Sequence, residues 1–333
     1  MAEVILTGLA DEGPVSKRAE EQLTMCRALG LSFYSVRFID LGGGVKNVMQ
    51  LTDEEVRKLQ KLHADFEMRV SSVASPIGKV KLRDVEDGTN NRYVPFERYL
   101  KEDVARAIEL AQAFETKLIR GFSFYPPRDD DPEKHLPQAV KQLRAIAEAC
   151  GDAGVFYGLE VEANLVGRSG ELERALFDQV NHPNLGLVFD AANMVCQGYD
   201  ADETFRQYEA MKPGLLWSHI KDYRIPAGMP RQRGYVDEDA MVHFCPADQG
   251  SADHRRLLGD LKQHLPALTE KLRQRGIPGF FLDLEPHVKG GGQFGGFSGP
   301  DGFGVALRAL CRVLDDVGIQ YHLTAFDDLR RPG

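Results

Sequence analysis

Four short apolar runs each end in a side chain able to bind a metal, and they recur along the second half of the chain. VFYGLE closes on Glu160, LGLVFD closes on Asp190, LLWSHIKD carries His219 near its end, and GFFLDLE closes on Glu285. Parallel strands covered on both faces read as near-continuous hydrophobic runs, and a (β/α)8 barrel places its chemistry where strand ends meet the following loops. The first two intervals are about 30 residues, the length of one strand, one helix and two short loops; the third is about twice as long and requires an insertion. One acid at a strand end is usually a helix cap or a solvated loop residue. Four at successive strand ends point to a shared site.

The remaining sequence supplies the other alternations. EVILTGL, SFYSVRFI, MRVSSVAS and KLIRGFSF read as strands one to four, with helices expected over 17–29, after the Thr52/Glu55 capping box, over ARAIELAQAF and over 137–149. A loop rich in Gly, Asn and Asp occupies 77–93, and Pro126 with Pro127 stops strand four. The insertion over 224–251 reads as a cover for the site or a contact with another subunit. Helices over 253–275 lead to strand eight, followed by KGGGQFGGFSGPDGFG and a helix over 305–317. No linker divides the chain, so one α/β domain over residues 1–333, a single TIM barrel, is expected. An open doubly wound sheet would need a glycine-rich phosphate turn after strand one. GLADEG instead puts Asp11 and Glu12 where a phosphate would sit, and the later glycine-rich stretch matches neither dinucleotide nor P-loop spacing.

Composition narrows the function classes. A formal charge of −9 argues against a nucleic-acid surface. No apolar stretch is long enough to span a bilayer, and MAEVILTGLADEG lacks a signal-peptide layout, so a cytoplasmic protein is expected. The five cysteines are scattered, with no Cys-x-x-Cys pair, which indicates neither a disulfide frame nor a zinc cluster.

Three carboxylates and an imidazole converging at one rim would repel without a cation among them. Oxygen-rich ligation with one nitrogen suits one divalent ion: Mn2+ first, with Mg2+, Co2+ or Zn2+ as alternatives. Strand alternation puts Glu162 on the same face as Glu160 and leaves either as the strand-five ligand; Glu160 directly ends the apolar run. Arg37 and Arg120, inside strands, read either as partners of inward acids such as Asp283 or as anchors for substrate oxygens. Lys79 reads as a loop lysine within reach of the mouth, Lys221 as a partner of Asp222 or of substrate, and His287 as a surface histidine or a neighbour of the metal site.

With these motifs in view, the chain resembles the sugar isomerase and epimerase group of xylose-isomerase-like barrels over nearly its whole length. The resemblance rests on LADE, VSSVASPIGKV, IRGFSFYPP, FDAANM, SHIKD and LEPHVKGGGQFGGFSGPDGF. It implies that Glu160, Asp190, His219 and Glu285 hold the metal and that Glu160 and Glu285 move protons. Many members carry a histidine where this chain has Asn193, an amide that can hydrogen-bond a substrate hydroxyl but cannot act as a base. The implied activity is isomerisation or epimerisation of a small sugar or keto-acid substrate by proton transfer through a metal-stabilised enediolate. A lyase acting on a keto-sugar or keto-inositol needs the same groups. More distant readings are a phosphodiester-cleaving barrel, which would need more metal ligands and a basic groove, and a non-catalytic sugar-binding barrel, which would have lost ligands. An unphosphorylated substrate and a possible homo-oligomer complete the expectations.

Overall fold

The computed structural model describes residues 2–226, 228, 236, 242–290 and 295–330. Eight parallel strands form the central sheet: β1 (Ile5–Gly8), β2 (Phe33–Val36), β3 (Arg69–Ile77), β4 (Leu118–Gly121), β5 (Phe156–Glu160), β6 (Leu185–Asp190), β7 (Leu215–Ile220) and β8 (Phe281–Leu284). Each of β2 to β7 pairs with the next in sequence, and β8 pairs with β1. The ring comes together between β1 and β2 through a lone parallel bridge, Leu9 to Ser35. This is the (β/α)8 barrel that the apolar runs predict.

Helices wrap the outside because each carries one apolar stripe. In Leu136–Asp152 the buried residues are Ala139, Leu143, Ile146, Ala147 and Cys150, and in His254–Gln274 they include Leu257, Leu258, Leu261, Leu265 and Leu272. These spacings keep one face against the strands. Inside the ring, packing is close enough to dictate glycine: a Cβ on Gly158 would lie 2.1 Å from the Trp217 ring. The lower interior is polar. Thr7 Oγ1 and Ser71 Oγ lie 2.7 Å apart, Ser35 Oγ reaches Ser71 and Ser72 Oγ at 3.0 and 2.9 Å, and Ser35 donates to Asp283.

Several boundaries differ from the sequence reading. SFYSVRFI is not one strand: β2 ends at Val36, and Phe38–Asp40 turns outward to pair antiparallel with Val45–Asn47. Arg37 therefore sits at a break, not within a strand. The last helix begins at Gly299, not at 305, so the end of the glycine-rich stretch is helical. Helical structure before β4 starts at Phe96 and contains a wide turn over Leu100–Val104. One helix, His254–Gln274, stands where several are expected, with Pro266 inside it. In the insertion after β7, residues 227, 229–235 and 237–241 fall outside the described residues; its base is a short antiparallel pairing of Asp222–Tyr223 with Phe244–Cys245.

Candidate metal centre and substrate pocket

Strand ends deliver the four candidate ligands to one point. Glu160 ends β5, Asp190 ends β6, His219 is the penultimate residue of β7, and Glu285 immediately follows β8. One donor atom from each lies within 4.8 Å of the others, and all four residues are buried. Glu160 thus belongs to the cluster. Glu162, the alternative, is bound instead by Lys79 at 2.9 Å.

Each ligand is held by its surroundings. Asp190 Oδ1 accepts from the backbone N–H of Ala192 at 2.9 Å and of Asn193 at 3.2 Å, capping the helix Ala191–Val195 and leaving Oδ2 toward the cluster. The cap reading of an acid at a strand end applies to this residue, and its second oxygen still faces the candidate ligand cluster. His219 Nδ1 lies 3.3 Å from Glu160 Oε1 and 3.4 Å from Glu285 Oε2, while Nε2 points down the barrel toward Asp283 Oδ2 at 3.9 Å. Glu160 Oε2 and Asp190 Oδ2 are buried and meet no hydrogen bond of good geometry, only the charges of Arg120 at 3.6 Å and Lys221 at 3.0 Å. Three carboxylates with one imidazole form a donor set suited to a divalent cation. The residues fit such an ion.

The electrostatics have the same origin. Burial would push the Glu160 carboxyl up, but His219 and Arg120 bring it down to about 2. For Glu285 burial again opposes ionisation, and Lys221, His219 and His287 hold it well below the usual carboxylate range. Burial would depress His219, yet the carboxylates of Glu160 and Glu285 lift it to about 10. Lys221 Nζ bridges Glu285 Oε2 at 2.5 Å and Asp190 Oδ2 at 3.0 Å, and despite burial these acids hold it above the ordinary lysine range. Asp222, its other expected partner, instead accepts backbone N–H groups of Tyr223, Ser251 and Ala252.

Above the cluster opens a cavity of about 570 Å3 whose walls include Arg37, Lys79, Arg120, Asn193, Lys221 and His287, with Glu160 and Glu285 at its floor. Asp190 and His219 are not among the lining residues. Arg37 Nη1 donates to Glu285 Oε1 at 2.9 Å, and the guanidinium also engages Asp11 and Glu12 at 3.2 and 3.1 Å. Asp283 takes Ser35 instead. Arg120 Nη1 lies 3.6 Å from Glu160 and 3.5 Å from Glu285. Asn193 Nδ2 donates to Val161 O at 3.1 Å and reaches Glu160 Oε1 at 3.4 Å.

Lys79 and His287 depart from their blander readings. Lys79 is not an ordinary loop lysine. Gly78, at φ +91° and with a Cβ position only 1.9 Å from Phe122 O, permits the tight turn that precedes it, and its ammonium lies over the Phe122 ring at 4.3 Å. His287 is 4% exposed, not a surface residue. Its backbone takes φ +51°, and both its N–H and its ring Nδ1 meet Glu12 at 2.8 Å. Sequence reasoning uses Asp11 and Glu12 against a phosphate turn and as part of the LADE motif, and misses that both clamp Arg37 and that Glu12 also holds His287. Their position directly after strand one, at the rim, was the available signal.

A (β/α)8 barrel with a buried three-carboxylate, one-histidine cluster at its C-terminal rim defines the class. The chain belongs to the xylose isomerase-like TIM barrel family, whose sequence model matches residues 23–318. No curated protein matches the chain in sequence. Among solved structures it is similar to the IolI protein with a bound zinc atom (15% identity, 95% of this chain and 99% of that one, TM-score 0.64). It is also similar to a D-allulose 3-epimerase from Methylomonas sp. (14%, 94% and 99%, 0.60). A third is the probable 3-DHS dehydratase AsbF from Bacillus anthracis (16%, 93% and 98%, 0.59). At these identities the likeness is one of fold.

Proposed function

We propose that the protein is a divalent-metal-dependent isomerase or epimerase of a small sugar or keto compound. The observation that carries this reading is the convergence of Glu160, Asp190, His219 and Glu285 within 4.8 Å beneath a cavity. A bound divalent ion would supply Lewis acidity toward the carbonyl and its neighbouring hydroxyl. The chain's own groups do the rest. Glu160 and Glu285 border the cavity and are held ionised, so one removes the proton beside the carbonyl and the same or the other returns it. Return to the adjacent carbon isomerises; return from the opposite face epimerises. Arg37 and Arg120 hold Glu285 from two sides, fixing its orientation, and Asn193 steadies Glu160. Lys221 carries positive charge between Asp190 and Glu285, beside the place where an oxyanion would develop. The burial of these groups excludes water from the proton transfer.

Elimination is the second reading, because a β-hydroxyl can leave from the same enolate. The discriminating experiment is metal analysis of the purified protein paired with solvent-deuterium incorporation, read by NMR, over ketoses, keto-inositols and hydroxypyruvate. Stoichiometric metal with exchange beside the carbonyl supports enolate chemistry. Loss of water from the exchanging compound selects the lyase. A protein that binds no divalent metal refutes both.

A further inference from the structure

Resting on that reading, we infer that the substrate is an uncharged sugar extended beyond the reacting ring by a second sugar unit, whose subsite is the outer half of the same cavity. Space is the first argument. One sugar ring needs roughly 200 Å3, taking a heavy atom at somewhat over half of the ~30 Å3 share of a liquid water. The cavity is about 570 Å3.

The outer walls are the second argument. Phe38 and Met49 offer apolar surface for the C–H face of a ring, and Asn47, Gln50, Asn90 and Asn91 line the same cavity. Asn47 and Gln50 commit their side-chain oxygens to each other's turn, at 3.0 Å to the Met49 N–H and 3.2 Å to the Asn47 N–H. Their NH2 groups keep donor capacity, and no described residue takes up the amides of Asn90 and Asn91. Amides that can donate and accept match vicinal hydroxyls.

Charge is the third. Every cation on the cavity wall already has an acid: Arg37 has Asp11, Glu12 and Glu285, Lys79 has Glu162, Arg92 has Asp103, Arg120 has Glu160 and Glu285, and Lys221 has Asp190 and Glu285. A phosphate or carboxylate on the extension would compete with those acids. A hydroxylated ring would not.

The test uses the full-length, Mn2+-loaded protein and three probes in calorimetry: D-fructose, isomaltulose and D-fructose 6-phosphate. Isomaltulose should bind at least tenfold more tightly than either of the others, and the Asn90→Ala/Asn91→Ala double variant, with unchanged metal content, should bring its affinity down to that of fructose. Equal or weaker binding of isomaltulose, preference for the phosphate, no binding of any probe, or a tenfold advantage that survives in the variant would overturn the inference. Deuterium exchange on the same probes judges the proposed reaction separately, because subsite affinity is read without turnover.

Discussion

Glu285 stands where most of the site's charges meet: Arg37 at 2.9 Å, Lys221 at 2.5 Å, His219 at 3.4 Å and Arg120 at 3.5 Å. Glu285→Gln keeps the volume but removes the negative charge and the base. Turnover should fall by at least ~10^2, the low end of what a positioned acid–base group contributes, with an unchanged far-ultraviolet dichroism spectrum; near-normal activity would remove Glu285 from the proton path. His219 gives a second prediction. Its proton is retained up to about pH 10 in the absence of a cation, and a metal ligand must be the neutral imidazole. Metal uptake at pH 7.5 should therefore release about one proton from His219, visible as a dependence of calorimetric heat on buffer ionisation enthalpy, and affinity should rise with pH. In His219→Asn both the release and most of the affinity should be lost.

At the scale of strands and helices, legibility followed burial. β5 to β8 are covered on both faces, so their sequences are unbroken apolar runs and their polar ends stand out; the convergence of Glu160, Asp190, His219 and Glu285 was visible for that reason. Gly158 was not, because its requirement comes from Trp217 on a strand two places away in the ring. Gly158→Ala should cost about 1–3 kcal/mol, as overpacking does, measured as a lower urea midpoint at constant m-value. The break after Val36 was hidden because Phe38–Asp40 continues the apolar pattern while pairing with a hairpin partner outside the barrel. Likewise the helix at Gly299 opens with glycine and proline, residues that read as loop until Pro300 is recognised as a first-turn proline. The pairings of Asp11, Glu12 and Glu162, the last weighed as a strand-five ligand, stayed hidden because their partners, Arg37, His287 and Lys79, lie on other strands' loops and no spacing along the chain encodes that meeting.

For the molecule as a whole, acid sensitivity should begin far from the site. His63, at the opposite end of the barrel from the ligands, accepts or shares a hydrogen bond with Tyr34 Oη at 2.6 Å, and burial pushes its ring down to about 4. An unfolded histidine titrates near ~6.5, so between these values the unfolded chain binds the proton and the folded one does not. This contribution to stability is fully present above pH ~6.5 and is lost as pH falls toward 4. Replacing His63 with Gln should flatten the decline of the thermal midpoint across that window; an identical slope in the variant would assign the decline to other groups. The lone bridge between Leu9 and Ser35 has a broader consequence. Where the first and second strands meet, backbone pairing nearly gives out, and side chains take over: Ser35 grips Asp283 across the seam, and Arg37 ties the loop after β1 to Glu285. Glu285 and the Arg37 that orients it, both given roles in the proposed reaction, therefore also help to clasp the ring. Substitutions there will loosen the hoop as well as the chemistry, and amide exchange should find the barrel opening first at that clasp.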